Sequence, residues 1–292
     1  MLPVHNFSYG LLTPALAYAM SVLGAFLGLR CTARARAYTG AARARWLVLA
    51  AVSIGTTGIW VMHFIAMLGF TIPGEVIHYN VPITILSMLI AVAVVCLGLF
   101  IVGYGRESPF RLIMGGVIAG LGVASMHYSG MAAMRMPAAM SYRPGLLVLS
   151  VVIAIVAATA ALWATLRLTG ISATLGAALI MGVAVSGMHY TGMAAMQVSR
   201  ASLETAMPMG GATAEGFLLP LILGICILSF VMTSTIALSP TDEEIRHEAA
   251  LMERIGQANS RPRLAASDYP SPRAGMTSRA RRARRSASTT MR

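Results

Sequence analysis

Seven stretches of this sequence are each long and apolar enough to cross a membrane as a helix, and this feature constrains the fold more than any other. They lie at residues 10–29, 46–70, 81–103, 112–134, 145–166, 172–196 and 217–238. A helix that crosses a hydrocarbon layer about 30 Å thick needs roughly 20 apolar residues. Hydrophobic residues make up 57% of the chain and charged residues only 11%, which excludes a soluble globular domain. The sequence therefore predicts an all-α membrane protein with seven transmembrane helices.

The distribution of arginine predicts the orientation of these helices, because the chain contains no lysine. Eight arginines lie in the first, third and fifth connections, at 30–45, 104–111 and 167–171, and only three lie in the other connections. Cytoplasmic loops carry an excess of positive residues. The N-terminus is therefore predicted to lie outside and the C-terminus in the cytoplasm.

One decapeptide occurs twice, as SMHYSGMAAM at 125–134 and as GMHYTGMAAM at 187–196, with eight of ten positions identical. The fourteen residues before each copy share only three identities, so the helices have diverged and the motif has not. A weaker third copy, VMHFIAMLGF, occupies 61–70. The motif histidines are 64 and 62 residues apart, which is the length of one out-and-back pair of helices. The chain is therefore predicted to contain three repeated helix pairs followed by a seventh helix.

The motif histidines are predicted to lie at one depth, near the outer face. Each copy falls on an even-numbered helix, with its histidine seven residues before the predicted helix end, or about 10 Å at 1.5 Å per residue. Small residues at four-residue spacing, such as Gly24 and Gly28 or Gly116 and Gly120, favour close approach of the helices.

Histidine and methionine side chains share one face of each motif helix. At 100° per residue, methionines four and seven positions after the histidine lie close to it around the helix. The candidate metal ligands on this face are His63 and Met67, His127 and Met131, and His189 and Met193, and Met134 and Met196 on the same face are additional candidates for the site. Imidazole and thioether groups together favour copper, above all Cu(I), over zinc, magnesium or calcium.

Other residues flank these candidate ligands. The methionines directly before the histidines are also candidate metal ligands, namely Met62, Met126 and Met188. They lie about 100° round the helix, so they would join the site through a bend or a neighbouring helix. The hydroxyls of Tyr128 and Tyr190 lie on the opposite flank, where they can bond a ligand or a ligating side chain. His5 and His78 are interpreted as exposed loop histidines, and His247 as a solvated cytoplasmic one.

Three other interpretations of the motif stay open. Haem also takes histidine and methionine as axial ligands, which would make the protein a membrane electron carrier. A copper carrier or transporter would need a relay of ligands that reaches the cytoplasmic side. Histidine and methionine within a membrane can also serve packing alone. Three histidines at one depth favour a metal or cofactor role, because polar groups inside a membrane are costly.

The composition changes after Pro240, and the chain is predicted to consist of three segments. Residues 1–238 form the membrane domain, 239–257 a juxtamembrane cytoplasmic helix, and 258–292 a disordered arginine-rich tail. The tail is interpreted as a solvated or lipid-attracted flank and not as a specific nucleic-acid site. The helices contain no paired carboxylates, nucleophile with a base, or phosphate-binding loop, so enzymatic activity is not expected.

The motifs MHF, MHY and MHY on alternate helices resemble the bacterial MHYT domain, over about residues 7–238. The resemblance implies a sensor in the bacterial cytoplasmic membrane, with a copper site near the outer face that responds to oxygen, carbon monoxide, nitric oxide or redox state. Phe64 replaces the tyrosine of the first motif and removes one hydroxyl. Many members carry a cytoplasmic cyclic-di-GMP or kinase module. None is expected in this chain, which would signal to a separate cytoplasmic partner through the helix at 241–257.

Overall fold

The structure, a computed structural model, describes residues 3–104, 108–200, 211–238 and 250–255. The chain divides into two compact units, Met1–Ser239 and Pro240–Arg292. The described residues of the second unit, 250–255, are helical. The rest of the predicted juxtamembrane helix, its His247 and the arginine-rich tail lie outside the described residues, so the predicted division into segments stays a prediction.

Among the described residues of the first unit, seven helices are long and apolar enough to cross a membrane, which confirms the predicted fold class. They are α1 (Leu12–Ala37), α2 (Gly40–Leu68), α3 (Val81–Gly103), α4 (Pro109–Ala132), α5 (Pro144–Arg167), α6 (Ile171–Ala195) and α7 (Leu219–Leu238). Helix α2 is π-helical at Ser53–Val61, between α-helical Gly40–Val52 and Met62–Leu68. A π-helical turn at Ala214–Leu218 precedes α7.

The first six helices form a closed ring in chain order. Each helix packs against the next one, and α6 packs back against α1. The motif helices α2, α4 and α6 therefore alternate with the other three around the ring. Helix α7 packs against α2, which is the most deeply buried of the seven spans. This arrangement gives the three repeats an approximate threefold relation about the centre of the ring.

Close approach between helices depends on glycine, as the sequence predicted. A Cβ atom added to Gly24 of α1 would lie 2.5 Å from the Cα atom of Gly58 in α2. A Cβ atom added to Gly120 of α4 would meet the backbone of Ile155 in α5. Backbones this close leave no room for any side chain at the crossing point.

Helix α1 ends at Ala37, eight residues later than the predicted end at residue 29. Its last turn carries Arg36, which donates hydrogen bonds to the carbonyl oxygens of Thr165 and Leu168 at the end of α5. Carbonyls at a helix C-terminus lack helical partners and carry partial negative charge. The arginine satisfies them, so a segment predicted as a connection folds as helix.

Five short strands cover the end of the ring where α2, α4 and α6 terminate, which is called the histidine end below. The strands are β1 (His78–Tyr79), β2 (Met134–Arg135), β3 (Ala138–Tyr142), β4 (Met196–Arg200) and β5 (Ala212–Thr213). Strand β1 lies between β2 and β5, and β3 pairs with β4, all antiparallel. Met134 and Met196 therefore lie in strands, and the prediction that they continue the helical face of the histidines is wrong.

Candidate metal centre

Helices α2, α4 and α6 each carry their motif histidine close to the C-terminal end. His63, His127 and His189 precede the last helical residues by five, five and six positions. All three side chains are buried, with exposed fractions of 0%, 0% and 1%. The structure thus confirms a common depth for these residues, which are called the histidine triad below.

The three imidazoles meet at the centre of the ring. The Nδ1 atom of His63 lies 3.0 Å from Nδ1 of His189 and 3.1 Å from Nδ1 of His127. The ring centroids are 4.9 to 5.1 Å apart, and the ring planes are nearly perpendicular to one another. One nitrogen from each ring lies within 4.8 Å of the others, so the triad could hold a metal ion.

The spacing of these nitrogens suits one small ion. Two nitrogens 3.0 to 3.1 Å apart, each about 2.0 Å from a shared ion, subtend an angle of about 97–102° at that ion. This angle is close to tetrahedral, so the three imidazoles could hold such an ion. A neutral imidazole carries a single N–H group, so a hydrogen bond between the facing nitrogens can join only two of the three rings at a time. An ion would instead accept all three lone pairs at once.

The far side of two imidazoles is fixed by glycine. A Cβ atom added to Gly130 of α4 would lie 2.5 Å from Nε2 of His63, and one added to Gly192 of α6 would overlap the ring of His127. Both Nε2 atoms are buried and have no hydrogen-bond partner among the described residues. Metal-binding histidines usually bond a carboxylate or carbonyl through this nitrogen. Steric packing takes that orienting role for these two rings.

Gly130 and Gly192 are positions that the sequence analysis missed. Each stands three residues after a motif histidine, inside the repeated decapeptide. Ala66 stands at the equivalent position of the first copy. The repetition of glycine was a signal, but a sequence repeat does not show that the histidine of another helix packs against it.

The motif methionines lie in the same buried core as the triad. This core contains eight of them, namely Met62, Met67, Met126, Met131, Met134, Met188, Met193 and Met196. Their exposed fractions do not exceed 6%. The methionines before the histidines are as buried as those after them, so position on the helical wheel does not separate the two sets. Their role as thioether ligands stays a prediction.

The two motif tyrosines have different partners. Each ring packs edge-on against the histidine beside it in the chain, with centroids 4.9 Å apart. The hydroxyl of Tyr128 lies 2.7 Å from Oγ of Ser150 in α5. The hydroxyl oxygen of Tyr190 is buried and has no hydrogen-bond partner among the described residues. Phe64 packs edge-on against His63 in the first repeat.

Two aromatic residues of the strands remain neutral over the histidine end. Tyr79 of β1 is buried beside Phe64, with ring centroids 6.1 Å apart, and burial raises the pKa of its hydroxyl. Burial, with a smaller contribution from Tyr128, raises the pKa of Tyr142 in β3 to about 12. These two tyrosines therefore add no charge at neutral pH.

The outer histidines do not join the triad. His5 is exposed and pairs through its backbone with Thr71, as expected of a loop residue. His78 is half-buried in strand β1, opposite Arg135 and Thr213, so the prediction of an exposed loop is wrong for it. The group that could hold a metal consists of the triad alone, within the part of the chain that the structure describes.

The fold and this site define a seven-helix membrane protein with a buried histidine triad at one end. The chain belongs to the MHYT family, the bacterial signalling protein N-terminal repeat, whose model matches residues 57–115, 120–178 and 182–243. Each match begins shortly before a motif histidine and continues through the whole of the following helix. The protein is thus a membrane signalling protein of that family, as its motifs predicted.

The relatives that this chain matches are larger signalling proteins, and the chain spans less than half of their length. The chain is 34% identical over 257 residues to the bifunctional diguanylate cyclase/cyclic di-GMP phosphodiesterase MucR of Pseudomonas aeruginosa, covering 86% of this chain and 37% of that protein. It is 38% identical over 202 residues to the cyclic di-GMP phosphodiesterase NbdA of the same organism, covering 67% and 25%. The signaling protein YkoW of Bacillus subtilis is 29% identical over 198 residues, covering 62% and 23%. No solved structure matches the chain.

Proposed function

We propose that the histidine triad binds one metal ion and that this centre is the input element of a bacterial membrane sensor. The convergence of three Nδ1 atoms carries the proposal, because His63 lies 3.0 and 3.1 Å from its two partners inside a buried core. Burial of three imidazoles in a membrane is energetically costly, and costly polar groups of this kind usually mark a functional site. A shared ion supplies the interaction that offsets this cost.

Copper is the metal that the surroundings of the triad favour. Helices α1 to α6 contain no aspartate or glutamate, so hard carboxylate ligands are absent from them. The eight buried methionines supply polarizable thioethers in the same core. Three nitrogen ligands with soft neighbours suit Cu(I) better than magnesium or calcium.

Haem and transport receive less support. The imidazole centroids are 4.9 to 5.1 Å apart, so a porphyrin has no room between the rings. A copper transporter needs ligands along a path through the membrane. One helical turn from the triad towards the opposite end of the ring, the motif helices present Ile59, Val123 and Val185, which cannot bind metal.

The sensing role follows from the family and from the position of the centre. The ion would tie together three helices that cross the membrane, so a change in its occupancy, its oxidation state or a bound diatomic gas would alter their packing. Oxygen, carbon monoxide and nitric oxide are the proposed gases. The π-helical segment Ser53–Val61 ends just before His63, and such segments often accompany functional sites.

Cyclic-di-GMP signalling is the proposed context, because the relative MucR is a diguanylate cyclase/cyclic di-GMP phosphodiesterase and the relative NbdA is a cyclic di-GMP phosphodiesterase. This chain is proposed to act as the sensor without catalysing a reaction itself, and to signal to a cytoplasmic partner. The proposed cellular location is the bacterial cytoplasmic membrane, with the arginine-rich connections facing the cytoplasm. Lipid is then the main contact of the outward-facing apolar side chains, and no specific nucleic acid is involved.

Metal analysis of purified protein tests the proposal directly. The full chain, prepared in mild detergent without a metal-binding tag, should contain close to one copper per chain by mass spectrometry. Replacement of the three triad histidines by alanine should remove the copper. The double variant His5→Ala/His78→Ala is the matched control, since both residues lie outside the triad, and it should keep the metal.

Each other outcome has a defined meaning. Iron in the wild type, with a Soret absorption band, would replace copper by haem in the proposed function. Absence of metal from the wild type after growth with added copper, while the protein remains folded, would leave the triad as a packing element and refute the sensor proposal. Loss of copper from the His5/His78 control would move the site out of the triad.

A further inference from the structure

A cavity of about 70 Å³ lies in the centre of the ring, beyond the histidine triad. Its wall includes Ile59, Val123 and Val185, each four residues before a triad histidine. Four residues of helix correspond to about 6 Å along the helix axis. The cavity therefore lies on the same approximate threefold axis as the triad, one helical turn away. It is called the chamber below.

The face of α5 that lines the chamber carries four alanines beside Leu162 and Thr165. Ala154, Ala157, Ala158 and Ala161 recur at the spacing of a single helical face, and all four line the chamber. Protein interiors are normally packed with few voids larger than a water molecule, so a void of this size on the axis of the site is unusual.

The wall of the chamber is almost entirely apolar. Among the described residues that line the chamber, only Ser21 and Thr165 have a hydroxyl or other strongly polar side chain, and Thr165 already donates to the carbonyl oxygen of Leu162. A buried water needs two to four polar partners, and apolar cavities without them remain dry. The chamber thus offers contacts to an apolar molecule and almost none to a polar one.

Its size restricts the occupant. An engineered apolar cavity of about 150 Å³ takes up benzene or xenon. A chamber of about 70 Å³ is half as large and suits a monatomic or diatomic apolar molecule.

We propose that the chamber binds one small apolar gas molecule, of the class of dioxygen or xenon, next to the histidine triad. Met188 joins the two places, because it lines the chamber and precedes His189. The inference rests on the proposed function for its biological purpose, since it gives the sensor a compartment for its gas. Binding in the chamber itself requires no metal.

Relaxation of methionine methyl groups by dissolved dioxygen tests this inference. The full chain, freed of metal, labelled at methionine methyls and placed in lipid nanodiscs, would be studied by NMR with and without dioxygen pressure. Met188 and Met126 precede equivalent histidines and are 1% and 0% exposed, but only Met188 lines the chamber. Paramagnetic relaxation by dioxygen should be several-fold stronger at Met188 than at Met126.

A matched pair of variants locates the effect. Ala158→Leu fills the chamber and should remove the excess relaxation at Met188. Ala160→Leu adds the same atoms on the exposed side of α5 and should leave it unchanged. Where Ala158→Leu fails to fold, the smaller filling variant Ala161→Val should reduce the excess instead.

Equal relaxation of Met188 and Met126 in the wild type would overturn the inference, as would excess relaxation that survives filling of the chamber. Because the protein is studied without metal, absence of copper from the wild type leaves this result untouched. Failure of the metal proposal and failure of the chamber proposal are therefore distinguishable.

Discussion

Two adjacent layers of helices α2, α4 and α6 use the space inside the ring in opposite ways. In the layer of the triad, imidazoles press against Gly130 and Gly192, and an added methyl group has no room. One turn away, Ile59 and its two equivalents border a chamber of about 70 Å³. The same three backbones form both layers. Small residues therefore have two different effects here, since glycine lets a large ring approach whereas alanine on α5 leaves space unfilled.

The largest effect on stability is expected in the triad layer, from Gly192→Ala. The new Cβ would overlap the imidazole of His127, and overpacking of this kind costs about 1–3 kcal/mol of unfolding free energy. The displaced ring should also weaken metal binding. Gly187→Ala on the same helix is the control, because no atom lies within 4 Å of its added Cβ. Thermal denaturation in nanodiscs and metal content measure both effects, and equal stability of the two variants would contradict the packing described.

In the chamber layer, Ala158→Leu is expected to raise the unfolding free energy. Filling a cavity commonly raises the unfolding free energy by about 0.5–2 kcal/mol, because new apolar contacts form without displacing others. Ala160→Leu, on the exposed side of α5, should change stability by less. Thermal denaturation of the two variants beside wild type provides the comparison. A loss of stability confined to Ala158→Leu would show that the chamber does not accept a side chain.

Much of the fold was predictable because apolar length and motif period are local properties of the sequence. Seven spans, alternation of the motif helices and a common depth for the histidines all follow from them. Helix ends were less predictable because distant residues decide them. Helix α4 ends before Met134 where that residue pairs with Tyr79 of β1, and α1 extends to Ala37 with Arg36 bonded to the end of α5.

The site was predictable in its residues and not in its packing. The spacing of the motifs identified His63, His127 and His189, but only the closed ring shows that their Nδ1 atoms meet. The role of Gly130 and Gly192 could not be predicted, because each of them contacts the histidine of a different repeat. The chamber has no motif at all, since it arises from side chains that are too small to fill the space between helices. The orientation predicted from arginine stays a prediction.

The smallest expected effect sharpens the comparison within the triad layer, where the repeats are similar in sequence and differ in hydrogen bonding. Tyr128→Phe removes a hydroxyl that lies 2.7 Å from Oγ of Ser150, and hydrogen bonds between membrane helices average about 0.6 kcal/mol. Tyr190→Phe removes a hydroxyl with no partner among the described residues, and its loss should be neutral or stabilising. Tyr128→Phe should therefore lower the unfolding free energy, whereas Tyr190→Phe should leave it unchanged or raise it. An equal loss in both would mean that Tyr190 bonds a group, such as a ligand or an ordered water, that takes the place of Ser150 in the third repeat.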